Sequence, residues 1–181
     1  MMKSSTLKER EYLVISASLR ADSRSRALAE TLQSAYRKLG IDATLLDLRE
    51  HPLPFCDGED AYDDPGIAAV GSAIRAARVV VVATPIYNYD ANAAVKNLVE
   101  LTGTAWENKI VGFLCAAGGA SSYMSILGFA NSLMLDFRCL VIPRFVYVTG
   151  DDFDGNGALS DAIQVRVREL AATSSAITVK D

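Results

Sequence analysis

Val79-Val80-Val81-Val82-Ala83-Thr84-Pro85-Ile86-Tyr87-Asn88-Tyr89-Asp90 is the stretch that decides how this chain is read. It opens as an apolar, β-branched run and is followed by a helical pattern from Ala93 to Leu101. Thr84 to Asp90 is therefore a loop leaving the carboxyl end of a central strand. In open α/β sheets ligands bind at such ends. A proline, two tyrosines and an asparagine suit a flat, partly polar ligand better than a solvated turn.

Working outward, the same alternation of strand and helix runs through the chain. Glu11 to Ser16 reads as a short buried strand, and Ala17 to Arg24 as the loop after it. Ser23 or Ser25 caps a helix running to Leu39, with Leu28, Leu32, Ala35 and Leu39 at helical spacing and Gly40 as the stop. Asp42 to Leu48 is the second strand. Residues 49–65 hold three prolines, a glycine and a cluster of acids, a long loop with a functional or lid role. Ile67 to Ala77 is the second helix, Arg78 to Ala83 the third strand and Ala91 to Thr102 the third helix. Lys109 to Cys115 is strand four and Ser122 to Leu135 helix four. Strand five is Cys139 to Val148, broken by Pro143, and the last helix spans Asp161 to Ala172.

Five strands alternating with five helices, joined by right-handed crossovers, predict an α/β, doubly wound parallel sheet in three layers. The absence of a sixth strand favours the flavodoxin-like order 2-1-3-4-5 over a six-stranded dinucleotide-binding sheet. The loops after strands one, three and four then converge on one site. The expectation is a single domain over residues 1–181, with 1–10 and 174–181 as flexible tails.

Composition narrows the function. The chain has 181 residues, half of them hydrophobic, and a net charge of −4. With no basic block, nucleic acid and anionic membrane surfaces are excluded as partners, since both need a positive footprint. No apolar run is long enough to span a membrane, and the polar Met1–Arg10 segment has no signal-peptide core, so cytoplasm is the expected compartment. Cys56, Cys115 and Cys139 are odd in number and widely spaced, which fits reduced thiols. The single histidine, His51, has no zinc-site spacing with them, so no metal centre is expected.

The loop Ser16-Ala17-Ser18-Leu19-Arg20-Ala21-Asp22-Ser23-Arg24-Ser25 lacks both GxGxxG and the Walker pattern. It offers serine hydroxyls, an arginine and backbone N–H groups at a helix start, which suit a phosphate monoester. A serine-rich capped loop with a surface arginine accounts for the same residues. The sequence then becomes more specific. Ala17-Ser18-Leu19-Arg20-x-x-Ser23-x-Ser25 resembles the phosphate loop of the NAD(P)H-dependent FMN reductase family, Gly-Ser-x-Arg-x-x-Ser-x-Asn/Ser. Thr84-Pro85-Ile86-Tyr87-Asn88 resembles its Thr-Pro-Glu-Tyr-Asn motif, Val95-Lys96-Asn97 its Leu-Lys-Asn, and Ala117-Gly118-Gly119 its glycine-rich motif. The motifs stand in family order over residues 12–148.

The resemblance implies FMN as cofactor and NAD(P)H as hydride donor, with a small-molecule electron acceptor. It implies Ser18, Arg20, Ser23 and Ser25 around the flavin phosphate. Pro85, Ile86, Tyr87 and Asn88 would line the isoalloxazine edge, and Ala117, Gly118 and Gly119 would lie against its pyrimidine side. No side chain is assigned as catalytic acid, base or nucleophile. Quinone, azo-dye or metal-ion reduction on the same scaffold is the nearest alternative, and a non-enzymatic FMN electron carrier the next. Ala17 for glycine, Ile86 for an acidic residue and Tyr89-Asp90 for a small or polar pair are departures from the pattern, the last narrowing the mouth.

Several residues carry two readings. Asn88 serves equally as a helix cap or a flavin contact. Tyr87 reads as a flavin contact more than as a packed aromatic. Asp90 reads as a helix-start residue, Lys96 as solvated or paired with an acid at a subunit contact, and Cys115 as a core thiol. The stripe Met124, Ile126, Leu127, Phe129, Ala130, Leu133 and Met134 is more apolar than one buried face requires. It predicts a subunit contact, and the resemblance implies a homodimer or homotetramer.

Overall fold

The computed structural model describes residues 11–178; the amino-terminal tail and the last three residues of the expected carboxyl-terminal tail lie outside them. The strands are β1 (Tyr12–Ser16), β2 (Ala43–Asp47), β3 (Val79–Tyr87), β4 (Asp90–Ala91), β5 (Ile110–Ala116), β6 (Leu140–Val141) and β7 (Val146–Val148). The helices are α1 (Arg24–Lys38), α2 (Pro65–Ala76), α3 (Ala93–Thr102), α4 (Leu127–Phe137) and α5 (Asp161–Ala176).

The sheet runs β2-β1-β3-β5-β6, with β7 also on β5 and all of these pairings parallel. This is the flavodoxin-like order, its fifth strand split in two. The break falls at Pro143-Arg144, where Arg144 has φ +62°. β4 is an addition, antiparallel to the end of β3.

Strand alternation sorts the core into two layers. Leu13, Ile15, Val80, Val82, Val111 and Phe113 point to one face, with Val70, Ile74, Leu98, Phe129 and Leu133 of α2, α3 and α4. Val14, Val79, Val81, Ile110 and Leu114 point to the other, with Leu28 and Leu32 of α1 and Val167 and Leu170 of α5. Burying both faces is what lets the strands be apolar throughout.

Four predicted boundaries are corrected, each for a local reason. β3 continues to Tyr87, past the expected end at Ala83, because β5 pairs with it as far as Pro85↔Ala116 and β4 pairs with Ile86 and Tyr87. β1 has already stopped at Ser16↔Ala83, so Pro85 stands where β3 has lost a neighbour and its missing N–H is tolerated. α3 starts two residues late, because Asp90 and Ala91 turn back to pair with Tyr87 and Ile86. The two turn residues, Asn88 and Tyr89, have φ of +50° and +62°. Hairpin turns of this kind favour Asn-Gly, and without the glycine the turn carries no sequence signal.

Helix four begins at Leu127, preceded by a short 3-10 turn at Ala120–Ser122. There the Ser125 hydroxyl donates to the Ser122 carbonyl at 2.6 Å, an alternative that serine offers to a regular helix start. Finally, residues 174–176 are not a free tail. α5 extends to Ala176, and Ser174 is buried with its hydroxyl 2.7 Å from that of Tyr36.

Candidate functional site

The carboxyl ends of β1, β3 and β5 face a cavity of about 550 Å³. Of the eleven site residues named from sequence, it is lined by ten: Ser18, Arg20, Ser23, Ser25, Pro85, Ile86, Tyr87, Asn88, Ala117 and Gly118. Gly119 follows directly on Gly118 without lining the cavity, and its carbonyl is taken by the Tyr147 hydroxyl. Asp22, Arg24 and Ala116 complete the wall.

One end of the cavity is built for an anion. Ser23 caps α1, accepting from the Arg26 N–H at 3.3 Å, and its hydroxyl lies 2.8 Å from that of Ser25. That pair has two hydroxyl protons and needs one for the bond between them, which leaves one to donate into the cavity. Ser18 accepts from the Arg20 N–H at 3.2 Å, so its proton is also available. The first turn of α1 holds no acidic residue, so its positive end faces the cavity, where Asp22, just before the cap, is the one carboxylate in the wall.

Three arginines stand near, with different commitments. Arg26 is bound to Asp47 and to Glu30. Arg24 lies over the Phe153 ring, 5.7 Å from its centroid, and its guanidinium is 3.2 Å from where a side chain on Gly150 would begin. Arg20 is exposed and has no carboxylate partner among the described residues, which leaves it available to a ligand.

The other walls are flatter. Ile86 is buried in the core layer with Ala91, so it meets the cavity largely through its backbone. Tyr87 is 56% exposed, a ring at the cavity and not a packed strand-end aromatic. Asn88 does not cap α3; that position belongs to Asn92. Asp90 is not at the start of α3 as expected: it lies in β4, accepts from the Ala91 N–H and pairs with Lys96, so the acid that Lys96 meets is in its own chain. A side chain on Gly118 would meet nothing within 4 Å, so the glycine leaves open space for a ring. The Tyr89 hydroxyl lies 3.0 Å from that of Ser121, joining the second loop to the third.

The family model described as NADPH-dependent FMN reductase matches residues 11–153. The chain belongs to that family. It is 30% identical over 135 residues to an NAD(P)H-dependent FAD/FMN reductase of Geobacillus thermodenitrificans, covering 72% of each chain. It is 26% identical to an NADPH azoreductase of a Bacillus species, covering 77% of each. Among solved structures it shares its fold with RosB bound to 8-demethyl-8-formylriboflavin-5′-phosphate. That match has a TM-score of 0.75 and 20% identity, over 91% of this chain and 77% of that one.

As a member of the FMN reductase family, the protein is an NAD(P)H-dependent FMN oxidoreductase. Its donor set fits the cofactor: hydroxyl protons, an unpaired guanidinium and a helix start at one end, an aromatic and glycine-lined slot at the other. Among the described residues no cluster of three or more His, Cys, Asp or Glu side chains could hold a metal ion, and no helix is long and apolar enough to cross a membrane. Cys115, next to last in β5, is a buried thiol whose pKa burial pushes up to about 12, so it is no nucleophile at neutral pH.

Three residues that shape the reductase site are not among those named as site residues from sequence. Tyr147 donates to the Gly119 carbonyl, lies 2.6 Å from the Ser122 hydroxyl and stacks edge-on with Tyr123. It pins the third loop from behind. Asn97 pins the 49–65 loop, donating to the Pro54 carbonyl and accepting from the Cys56 N–H, both at 2.8 Å. Asn92 bonds to the Ala17 carbonyl at 2.7 Å. A buried tyrosine or asparagine has no local periodic signature, so only Asn97, inside the Lys-Asn motif, was visible in advance.

Proposed function

We propose that Ser18, Arg20, Ser23 and Ser25 hold the phosphate of FMN, that Pro85, Ile86, Tyr87 and Asn88 line the edge of its ring, and that Ala117, Gly118 and Gly119 lie against the pyrimidine side. When bound, the flavin accepts hydride from a reduced nicotinamide and passes the electrons to a small acceptor. The protein's part is to bind, orient and keep the ring face open. The observation that carries this reading is that residues from three separate loops line one cavity, anion-ready at one end and flat at the other. The names of the FAD/FMN reductase and azoreductase relatives support a small, reducible acceptor.

The protein acts as a homo-oligomer in this reading. Of the apolar stripe before and along α4, Ile126, Phe129, Ala130 and Leu133 are buried, whereas Met124, Leu127, Met134 and neighbouring Leu135 are exposed. A second copy covering that face accounts for them. Three separate free thiols support a reducing, cytoplasmic setting.

The test is direct. Purified protein is titrated with FMN, then given NADH or NADPH and followed by nicotinamide absorbance. Turnover with FMN, and with an azo dye or quinone as acceptor, is the expected result. Protein that binds FMN without oxidising either nicotinamide refutes the reductase reading. Protein that binds no FMN refutes the site as well.

A further inference from the structure

Asn92 occupies the N-cap of α3 and does not cap it. An asparagine there ordinarily accepts an N–H from its own helix. Here the side chain is turned inward, 6% exposed, and bonds elsewhere. Its Nδ2 donates to the Ala17 carbonyl at 2.7 Å, and its Oδ1 lies 3.0 Å from the Thr84 hydroxyl. The same hydroxyl accepts from the Asn92 N–H at 3.4 Å. Thr84 is fully buried. A carbonyl needs a donor, so the orientation of the amide is forced.

The two partners are significant by position. Ala17 precedes Ser18, and Thr84 precedes Pro85, so each stands one residue behind a wall of the cavity. β1 and β3 pair only as far as Ser16↔Ala83, with one further bond from the Ala17 N–H to the Ala83 carbonyl at 2.9 Å. Beyond that point the ladder no longer sets the distance between the first and second loops. Asn92 does. A buried network with its members satisfied holds one arrangement, and any other leaves a polar group unpaired.

We propose that Asn92 is a positioning residue that sets the spacing between the phosphate-binding loop and the ring-binding loop, so that both ends of one FMN are gripped together. The inference rests on the assignment of those loops made above. It has a consequence that general structural support does not. Two contacts made by one ligand reinforce each other only when their spacing matches the ligand. Loss of Asn92 should therefore remove the advantage that the phosphate confers and spare the ring contacts.

The measurement is the ratio of the dissociation constants of riboflavin and FMN, by fluorescence titration of the full chain. Asn92→Ser keeps a residue able to cap α3 but does not reach Ala17; Thr84→Val keeps the shape and removes the hydroxyl. Both should lower the ratio by about tenfold, the size of a buried hydrogen bond lost. Riboflavin affinity should stay within about twofold, a change of a few tenths of a kcal/mol.

Equal weakening of both flavins in folded variants, or no change in the ratio, overturns the positioning role. So does failure of both variants to show native circular dichroism, which would make Asn92 a folding determinant instead. A wild-type ratio near one overturns the phosphate-loop assignment itself, and is thus distinguishable from failure of this inference.

Discussion

Arg20→Ala removes the one cation at the cavity that has no other engagement among the described residues. Arg26 is held by Asp47 and Glu30, and Arg24 is laid on Phe153, so neither is free to replace it. A hydrogen bond to a charged group contributes about 1.5–3 kcal/mol. Arg20 is exposed, so screening places the loss at the lower end, about 1.5 kcal/mol. That corresponds to about tenfold weaker FMN binding. The assay is fluorescence titration with FMN and with riboflavin at low and at physiological salt. FMN affinity should fall and riboflavin affinity should hold. The difference between wild type and variant should shrink as salt rises. Thermal stability should change little, because no folded-state ion pair is lost. Arg24→Ala is the internal control and should weaken FMN less. An unchanged FMN affinity, or equal loss for both flavins, would refute the phosphate role of Arg20.

Other outcomes follow from the same structure. Tyr147→Phe strips two bonds from the third loop, and the Ser122 hydroxyl, 3.5 Å from the Gly119 carbonyl, recovers part of one. The net loss should be about 1–2 kcal/mol, a fall in Tm of about 2–8 °C by calorimetry. Asn97→Ala should speed amide exchange at Cys56, whose N–H loses its acceptor, without altering exchange in β1 or β3. Iodoacetamide at neutral pH should label Cys56 in native protein and spare Cys115 and Cys139, whose pKa values burial pushes up to about 12 and about 11. Both thiols, and Tyr36 at about 12, titrate higher when folded than their ordinary values of 9.0 and 10.0. The unfolded chain therefore releases these protons first as pH rises. Their contribution to stability is full below about pH 9 and declines from there toward pH 12, measurable by denaturant midpoint.

The fold was legible because its determinants are local and repetitive. Apolar runs such as Val79–Val82, each followed by a helical pattern, leave few topologies once crossovers are right-handed. The candidate site was legible to the extent that it is made of loop residues in motifs: Ser18, Arg20 and Pro85, far apart in sequence, line one cavity. What was not legible depends on contacts distant in sequence. β3 passes Ala83 because β5 accompanies it to Pro85 and β4 pairs with its last two residues, and α5 reaches Ala176, where Ser174 meets Tyr36. The Asn88-Tyr89 turn adopts left-handed backbone without a glycine to announce it.

That turn also shows how the rim is set. Left-handed conformations at two non-glycine residues cost about 1 kcal/mol or more each, so something must hold them. The hairpin pairs Tyr87 with Asp90 and Ile86 with Ala91, the Asp90 carboxylate is tied to Lys96, and the Tyr89 hydroxyl meets Ser121. Only the last of these contacts joins the second loop to the third. Tyr89→Phe keeps the ring and removes the bridge between two exposed hydroxyls, a loss of about 0.5–1 kcal/mol at most. The turn, anchored by β4 and Lys96, should survive. The third loop should then move independently of the second, and KM for bulky acceptors such as azo dyes should fall relative to that for small quinones. An unchanged selectivity between large and small acceptors, measured as the ratio of their kcat/KM values, would show that the bridge does not limit the mouth.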